Sequence, residues 1–317
     1  MKQNTIEREI SFSGIGLHTG FTVNITLKPA NSDMGIIFRR IDLEKNNEVK
    51  ALYSNVSNTM LGTVIENKNA KIQTIEHLMS AIWATNIDNL IIEIDNYEVP
   101  IMDGSAILFI KKIQEAGIVE QDSYRKYLTI KKTVTLQESN KLFEIVPADD
   151  FKVSLLVEYN YGGIGKQEYN FDGTQETFIN DISLARTFCN FTEIENMKRV
   201  GFAMGGFAIM DKPIVKKKNS LLSLFRKNRA SDESINLSKG DDIMENAAVY
   251  GDDGILNKSG LRCENEVVRH KMIDLIGDLF TSGYYVKGHI RAVWNGHTLH
   301  NKFLKLLFLS NDNYEIK

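Results

Sequence analysis

The sequence predicts an α+β chain built from two domains of similar topology, and three observations carry that reading. The 317 residues fit about two domains of ~150 residues each. Strand-like segments come first and helical ones late, without the regular β-α-β alternation of a doubly wound sheet. The order also recurs. From a helix bearing His77 to a turn at Gly104, and from a helix bearing His270 to a turn at Gly296, the spacing is nearly equal.

From Ile6 to Leu52 apolar and polar residues alternate, as in FTVNITL, with turn residues between them, which reads as strands. The period changes over residues 74–86. Ile75, Leu78, Met79, Ile82 and Trp83 recur at i, i+3, i+4, i+7 and i+8, one helical stripe with His77 on its polar side. Leu90 to Ile94 returns to a strand, and Gly104 opens a second helical stretch, SAILFIKKIQEAG. The polar stretch VEQDSYRKY, near 119–127, is the expected join between domains 1–122 and 123–317. KYLTIKKTVTL, KLFEIV and KVSLLVEY then read as strands. Glu266 to Ser282 reads as a helix, Tyr284 to Trp294 as a strand, and HTLHNKFLKLLF as the last helix. The segment 212–242 breaks the pattern. Its KKKNSLLSLFRKNR holds Lys216, Lys217, Lys218, Arg226, Lys227 and Arg229 with no acid among them, as an insertion in the second domain would.

Composition excludes several classes. At 43% hydrophobic and 25% charged the chain can build a full core. A net charge of −3 offers no global basic field for nucleic acid. No apolar run reaches the ~18 residues of a membrane-spanning helix. The first residues, MKQNTIEREISFSG, hold no apolar h-region, and the only cysteines, Cys189 and Cys263, lack CxxC spacing. A reducing, cytoplasmic setting is expected, and a disulfide framework or cysteine zinc cluster is not.

VVRHKMIDLIGDL is the segment richest in chemistry. Val268, Met272, Leu275, Ile276 and Leu279 form its core stripe, and His270, Asp274 and Asp278 stand four apart on the opposite face. A histidine and a carboxylate at i and i+4 can grip one metal ion, although a solvated polar face would show the same pattern. A catalytic site needs a third ligand from elsewhere. His77 is a candidate, and the adjacent Glu76 is placed as a general base would be, beside a ligand without ligating. Read singly, Glu76-His77 could equally be a surface helix start. His297 opens the last helix, where a cationic imidazole needs a carboxylate partner, and Asp278 is the candidate.

In order along the chain stand GIGLHTG (14–20), NTMLGT (58–63), TIEHLMSA (74–81), IMDGSA (101–106) and ARTF (185–188). GGF (205–207), RHKMIDLIGD (269–278) and GHTLHNK (296–302) follow. With these motifs the chain resembles the UDP-3-O-acyl-N-acetylglucosamine deacetylases of lipid A biosynthesis over nearly its whole length. The resemblance implies two domains with helices sandwiched between two mainly antiparallel sheets and the active site at the domain interface. It implies zinc, with iron(II) also suited to a His₂Asp set, held by His77, His270 and Asp274. Glu76 would be the general base, His297 the catalytic histidine, Asp278 its partner, and Thr187 a hydroxyl donor to the developing oxyanion. Lys271 would contact substrate, and Met60, Leu61, Phe188, Ile194 and Ala203 would line an acyl-chain passage.

The sequence departs from the family pattern at Phe207 (GGF for GGS), His300 (GHTLHN for GHxLNN), Cys189-Asn190 (RTFCN for RTFGF) and NYGG before Ile164. None of these is a proposed ligand or base. The implied partner is the UDP-linked acylated glucosamine, met by a monomer. The basic insertion, with leucines among its cations, is a candidate for transient contact with the inner membrane surface; a solvated loop fits its composition as well. A zinc hydrolase of another amide and a catalytically inactive binding homologue are the rival functions.

Overall fold

The computed structural model describes residues 1–205 and 245–317. The charged insertion expected at 212–242 and Phe207 lie outside the described residues.

The first half runs β1 (Lys2–Ile6), β2 (Ile10–Ile15), β3 (Thr22–Pro29), β4 (Ile36–Arg40) and β5 (Glu48–Lys50). Short strands β6 (Val56–Asn58), β7 (Val64–Asn67) and β8 (Ala70–Ile72) lead into α1 (Glu76–Ala84), β9 (Leu90–Ile94) and α2 (Ile107–Ala116). After β10 (Ile118–Tyr124) come β11 (Tyr127–Ile130), β12 (Val134–Glu138), β13 (Lys141–Val146), β14 (Phe151–Tyr159) and β15 (Gly165–Phe171). A helical turn, α3 (Gln175–Thr177), precedes β16 (Phe188–Asn190), α4 (Phe191–Arg199), β17 (Ala248–Gly251) and β18 (Gly254–Ile255). The chain closes with α5 (Glu266–Phe280), β19 (Tyr285–Val293), α6 (His297–Leu307) and β20 (Tyr314–Ile316).

The recurrence read from spacing is a recurrence of connectivity. One sheet runs β2-β3-β9-β4-β5, antiparallel except for β4 beside β9. In the other, β12-β13-β19-β14-β15 repeats that path strand for strand, antiparallel except for β14 beside β19, and β11 and β20 extend it. Strand alternation sets the faces. β3 buries Val23, Ile25 and Leu27 and turns Thr22 and Asn24 outward. The polar stretch near 119–127 is strand on both sides of a two-residue break: β10 pairs back onto β1, and β11 joins the second sheet. Arg125, in the break, is buried. It donates to both carboxylate oxygens of Asp88 and lies 3.8 Å from the centroid of the Tyr285 ring.

The helices lie inward. α1 packs on α5 and α2, and α5 in turn on α6 and on β14 and β15. The helical stripes are therefore only part of the buried surface. Every residue of α1 is buried, His77 included, and so is all of α5 except Arg269 and Lys271. Neither helix has a solvated polar face, because each is enclosed by the other as well as by its neighbours. Gly277 lets the two approach: a Cβ there would lie 2.0 Å from the carbonyl oxygen of Glu76. Trp83 of α1 reaches into the second half, meeting Phe151, Phe171 and Phe178 edge-on at centroid distances of 5.8, 6.1 and 5.6 Å. One continuous apolar core thus runs through both halves. Among the described residues no helix is long and apolar enough to cross a membrane.

Candidate functional site

The crossing of α1 and α5 brings together residues that are far apart in the chain. His270, Asp274 and Asp278, spaced by four, form one row on α5, and the first turn of α1 lays Glu76 and His77 against it. The Nε2 atoms of His77 and His270 stand 3.6 and 3.4 Å from Oδ1 of Asp274. One ligand atom from each residue lies within 4.8 Å of the others, and all three side chains are buried. Tetrahedral coordination with bonds of ~2.0–2.1 Å places neighbouring ligand atoms about 3.3 Å apart. The cluster therefore fits a divalent cation. His270 also has the second partner that such a ligand needs: its Nδ1 donates to the Ala185 carbonyl at 3.1 Å, which leaves Nε2 as a bare lone pair. Burial presses His270 down to about 4, so it is neutral and able to ligate. Burial would raise Asp274, but the Lys271 ammonium, 2.7 Å from Oδ2, leads the groups that outweigh it and hold the carboxyl well below the carboxylate range.

Glu76 is beside this cluster and outside it. Its Oε2 accepts the Thr63 backbone N–H at 2.9 Å, and its Oε1 lies 3.8 Å from His297 Nε2. Burial raises its pKa, partly against the pull of His297 and His77, which suits a carboxylate that must accept a proton. His297 donates Nδ1–H to Asp278 Oδ2 at 2.7 Å. Burial opposes its charge, yet Asp278 and Glu76 outweigh burial and lift it to about 9. The arrangement can set a carboxylate able to take a proton against a protonated imidazole, beside a cluster able to hold a cation.

A cavity of about 220 Å³ opens onto the cluster. Glu76, His77, His270, Lys271, Asp274 and His297 line it, as does Thr187, whose backbone is tied to Gly104 and Ala248. Asp278 stands behind His297, off the wall. Leu61, Phe188 and Ala203 line the cavity, and Phe188 meets the His270 ring edge-on at 6.1 Å. Met60 and Ile194 are not on its wall. Met60 is 60% exposed, and Ile194 is buried in a small satellite core with Leu17, Ile101 and Cys189. A larger cleft of about 560 Å³, near Tyr53, Phe280 and Phe308, holds none of these groups. Thr74, Leu61 and Ala203, all on the cavity wall, hold φ of +59°, +61° and +55°, a left-handed conformation uncommon for residues with side chains.

Among the residues to which sequence reasoning assigned no role, Thr63, His300 and His18 make polar contacts at the site. Thr63 anchors Glu76 through its N–H, and its hydroxyl donates to Asp278 Oδ1. His300 places Nδ1 2.7 Å from Asp278 Oδ2. His18 lines the cavity with Nε2 3.0 Å from the Leu61 carbonyl. His18 and Thr63 lie within recognisable motifs, GIGLHTG and NTMLGT, but nothing in local periodicity turns them inward.

A family profile described as UDP-3-O-acyl N-acetylglycosamine deacetylase matches residues 3–236 and 224–309. The chain belongs to that deacetylase family. Curated relatives agree along their length. UDP-3-O-acyl-N-acetylglucosamine deacetylase of Geobacter sp. (strain M21) is 38% identical over 99% of this chain and 91% of its own. The proteins of the same name from Cellvibrio japonicus and Ruthia magnifica are 37% and 34% identical, covering 99% and 100% of this chain and 93% of each relative. Family membership makes the chain an amide-hydrolysing enzyme, and the α+β architecture with mainly antiparallel sheets agrees with the expected fold.

Proposed function

We propose that the chain catalyses zinc-dependent hydrolysis of the N-acetyl group of UDP-3-O-acyl-N-acetylglucosamine, giving UDP-3-O-acyl-glucosamine and acetate for lipid A biosynthesis. The observation that carries this reading is the His77–His270–Asp274 cluster beside a buried, non-ligating Glu76. His77, His270 and Asp274 hold the ion; iron(II) suits the same donors. When bound, the ion supplies a Lewis acid that polarises the amide carbonyl and brings water's pKa near neutrality.

The side chains do the rest. Glu76 takes the proton of the attacking water. Charge grows on the amide oxygen, where the Thr187 hydroxyl donates, an interaction worth about 2.7–4 kcal/mol when preorganised. The departing nitrogen receives a proton from His297, held protonated by Asp278, or from Glu76, which carries the one it took. Lys271 stands on the cavity wall where the polar part of the substrate is held, and Leu61, Phe188 and Ala203 face the acyl chain, each buried CH₂ contributing about 0.8 kcal/mol. The roles of Met60 and Ile194 in that passage need the wall to extend beyond the present cavity. We divide the chain into domains 1–122 and 123–317; the separate pairings of β10 and β11 support a join just past that boundary, at the two-residue break 125–126, since β10 itself runs to Tyr124. Two free cysteines suit a cytoplasmic enzyme. We take it to act as a monomer, meeting its lipid-bearing substrate at the inner face of the inner membrane.

Acetate release from the sugar nucleotide tests the reading, run with and without chelator and alongside metal analysis. Turnover should vanish in Glu76→Ala with metal retained, and in His77→Ala with metal lost. Chelator-resistant turnover, or an absence of acetate, would overturn it.

A further inference from the structure

Asp278 is shared. Its Oδ2 is 2.7 Å from Nδ1 of His297 and 2.7 Å from Nδ1 of His300, and its Oδ1 accepts from the Thr63 hydroxyl. His300 is buried on α6, one turn after His297, with its ring edge toward Phe143 at 5.5 Å. Its Nε2 has no hydrogen-bond partner among the described residues. That pattern fixes the tautomer. An imidazole with one nitrogen on a carboxylate and the other enclosed keeps its single proton on Nδ1, since a second proton at Nε2 would be buried without an acceptor. His300 therefore donates to Asp278 as a neutral ring. A carboxylate turns readily about its terminal torsion, where the energy wells are broad. With Thr63 on one oxygen and both His297 and His300 on the other, its rotation is restrained, and His300 is the buried, neutral one of the two donors that hold Oδ2.

We propose that His300 is a positioning residue for His297: by donating Nδ1–H to Asp278 it locks the carboxylate, so that His297 stays bound through Nδ1 and keeps Nε2 turned toward Glu76, 3.8 Å away. The proposal rests on the hydrolytic reading of the site. The charged and titratable groups around His300 are Asp278, His297, whose ring centroid is 6.2 Å away, and, farther off, Lys271. Removing the His300 donor leaves Asp278 with more charge to direct at His297, which binds its proton more tightly and less well aimed.

The test compares His300→Asn with His300→Leu in the full-length, metal-loaded chain. Asparagine Nδ2 stands the same number of bonds from the backbone as histidine Nδ1 and can replace its donor; leucine fills the space without one. In the acetate-release assay His300→Leu should lose about tenfold in kcat with KM within about twofold, and its alkaline limb should move to higher pH. His300→Asn should recover kcat to within about threefold of the unaltered chain. Imidazole ¹H–¹⁵N spectra of the metal-free chain give a readout without turnover. Two low-field Nδ1–H resonances are expected, of which His300→Leu loses one and displaces the other. An unchanged kcat, alkaline limb and His297 resonance in His300→Leu overturns the proposal. So does an equal kcat loss in both variants with the alkaline limb unmoved, which marks a packing role alone. If the unaltered chain releases no acetate, the hydrolytic reading fails, and the spectra still decide whether His300 fixes Asp278.

Discussion

Replacing Gly277 by alanine should spread the His77–His270–Asp274 cluster without altering any of its three residues. A Cβ at Gly277 would lie 2.0 Å from the oxygen, 2.7 Å from the carbonyl carbon and 3.0 Å from the Cα of Glu76. All three atoms are backbone, so no rotamer change relieves the contact. Ordinary contact begins near 3.4 Å, so α1 and α5 must separate by roughly 1.4 Å along that line. His77 follows Glu76 and moves with it. Its Nε2 starts 3.6 Å from Asp274 Oδ1. Half of that displacement carries the pair past about 4 Å, too far for two bonds of ~2.0–2.1 Å at a tetrahedral angle. Overpacking of this kind costs about 1–3 kcal/mol, less than the ~5–15 kcal/mol that holds a domain folded. The variant should therefore fold, bind metal about 10–100-fold more weakly in competition with a chelator, and lose acetate release in parallel. If Gly277→Ala bound metal as tightly as the unaltered chain, the claim that the helix crossing sets the ligand spacing would be refuted.

Glu76→Gln keeps the Thr63 contact and the shape of the side chain but removes the proposed base. Turnover should fall by about 10²–10⁴-fold with metal content unchanged, and a smaller loss would argue for a different proton acceptor. His297 titrates near 9, above its ordinary value, so the contribution of its pairing with Asp278 is complete below about 6.5 and is lost as pH rises through about 9. Both the alkaline limb of kcat and the denaturant midpoint of the metal-free chain should decline in that window, and a flat response of both would contradict the assignment. Arg186 and Glu266 are both fully buried and joined through Nε to Oε1 at 2.9 Å. Arg186→Met leaves the buried carboxylate with backbone donors but no charge partner, at a cost of about 3–5 kcal/mol by chemical denaturation. Thr63→Val removes one of the donors to Asp278 while keeping the N–H to Glu76. It should lower kcat by about tenfold with little change in KM, and an equal rise in KM would assign Thr63 to substrate binding instead.

Local order determined much of this protein. The 3.6-residue period that makes α5 a helix also places His270, Asp274 and Asp278 in one row, so that row is legible from the spacing alone. Period-two alternation marks β3, and the recurrence of strands, helix and turn foretells two sheets of like connectivity. The motifs that resemble the deacetylases attach a reaction to those positions. What periodicity leaves open is which surface each row meets. A helix with one apolar stripe reads as half exposed, yet His77 and all of α1 are enclosed, because a second helix from the other half of the chain covers the remaining side. Thr63 and His300 converge on Asp278 from a turn 215 residues before it and a helix 22 residues after it. Neither contact leaves a trace in local spacing. Close packing decided them: only with Gly277 pressed against the Glu76 carbonyl do two helices distant in sequence come near enough for His77, His270 and Asp274 to cluster beside Glu76.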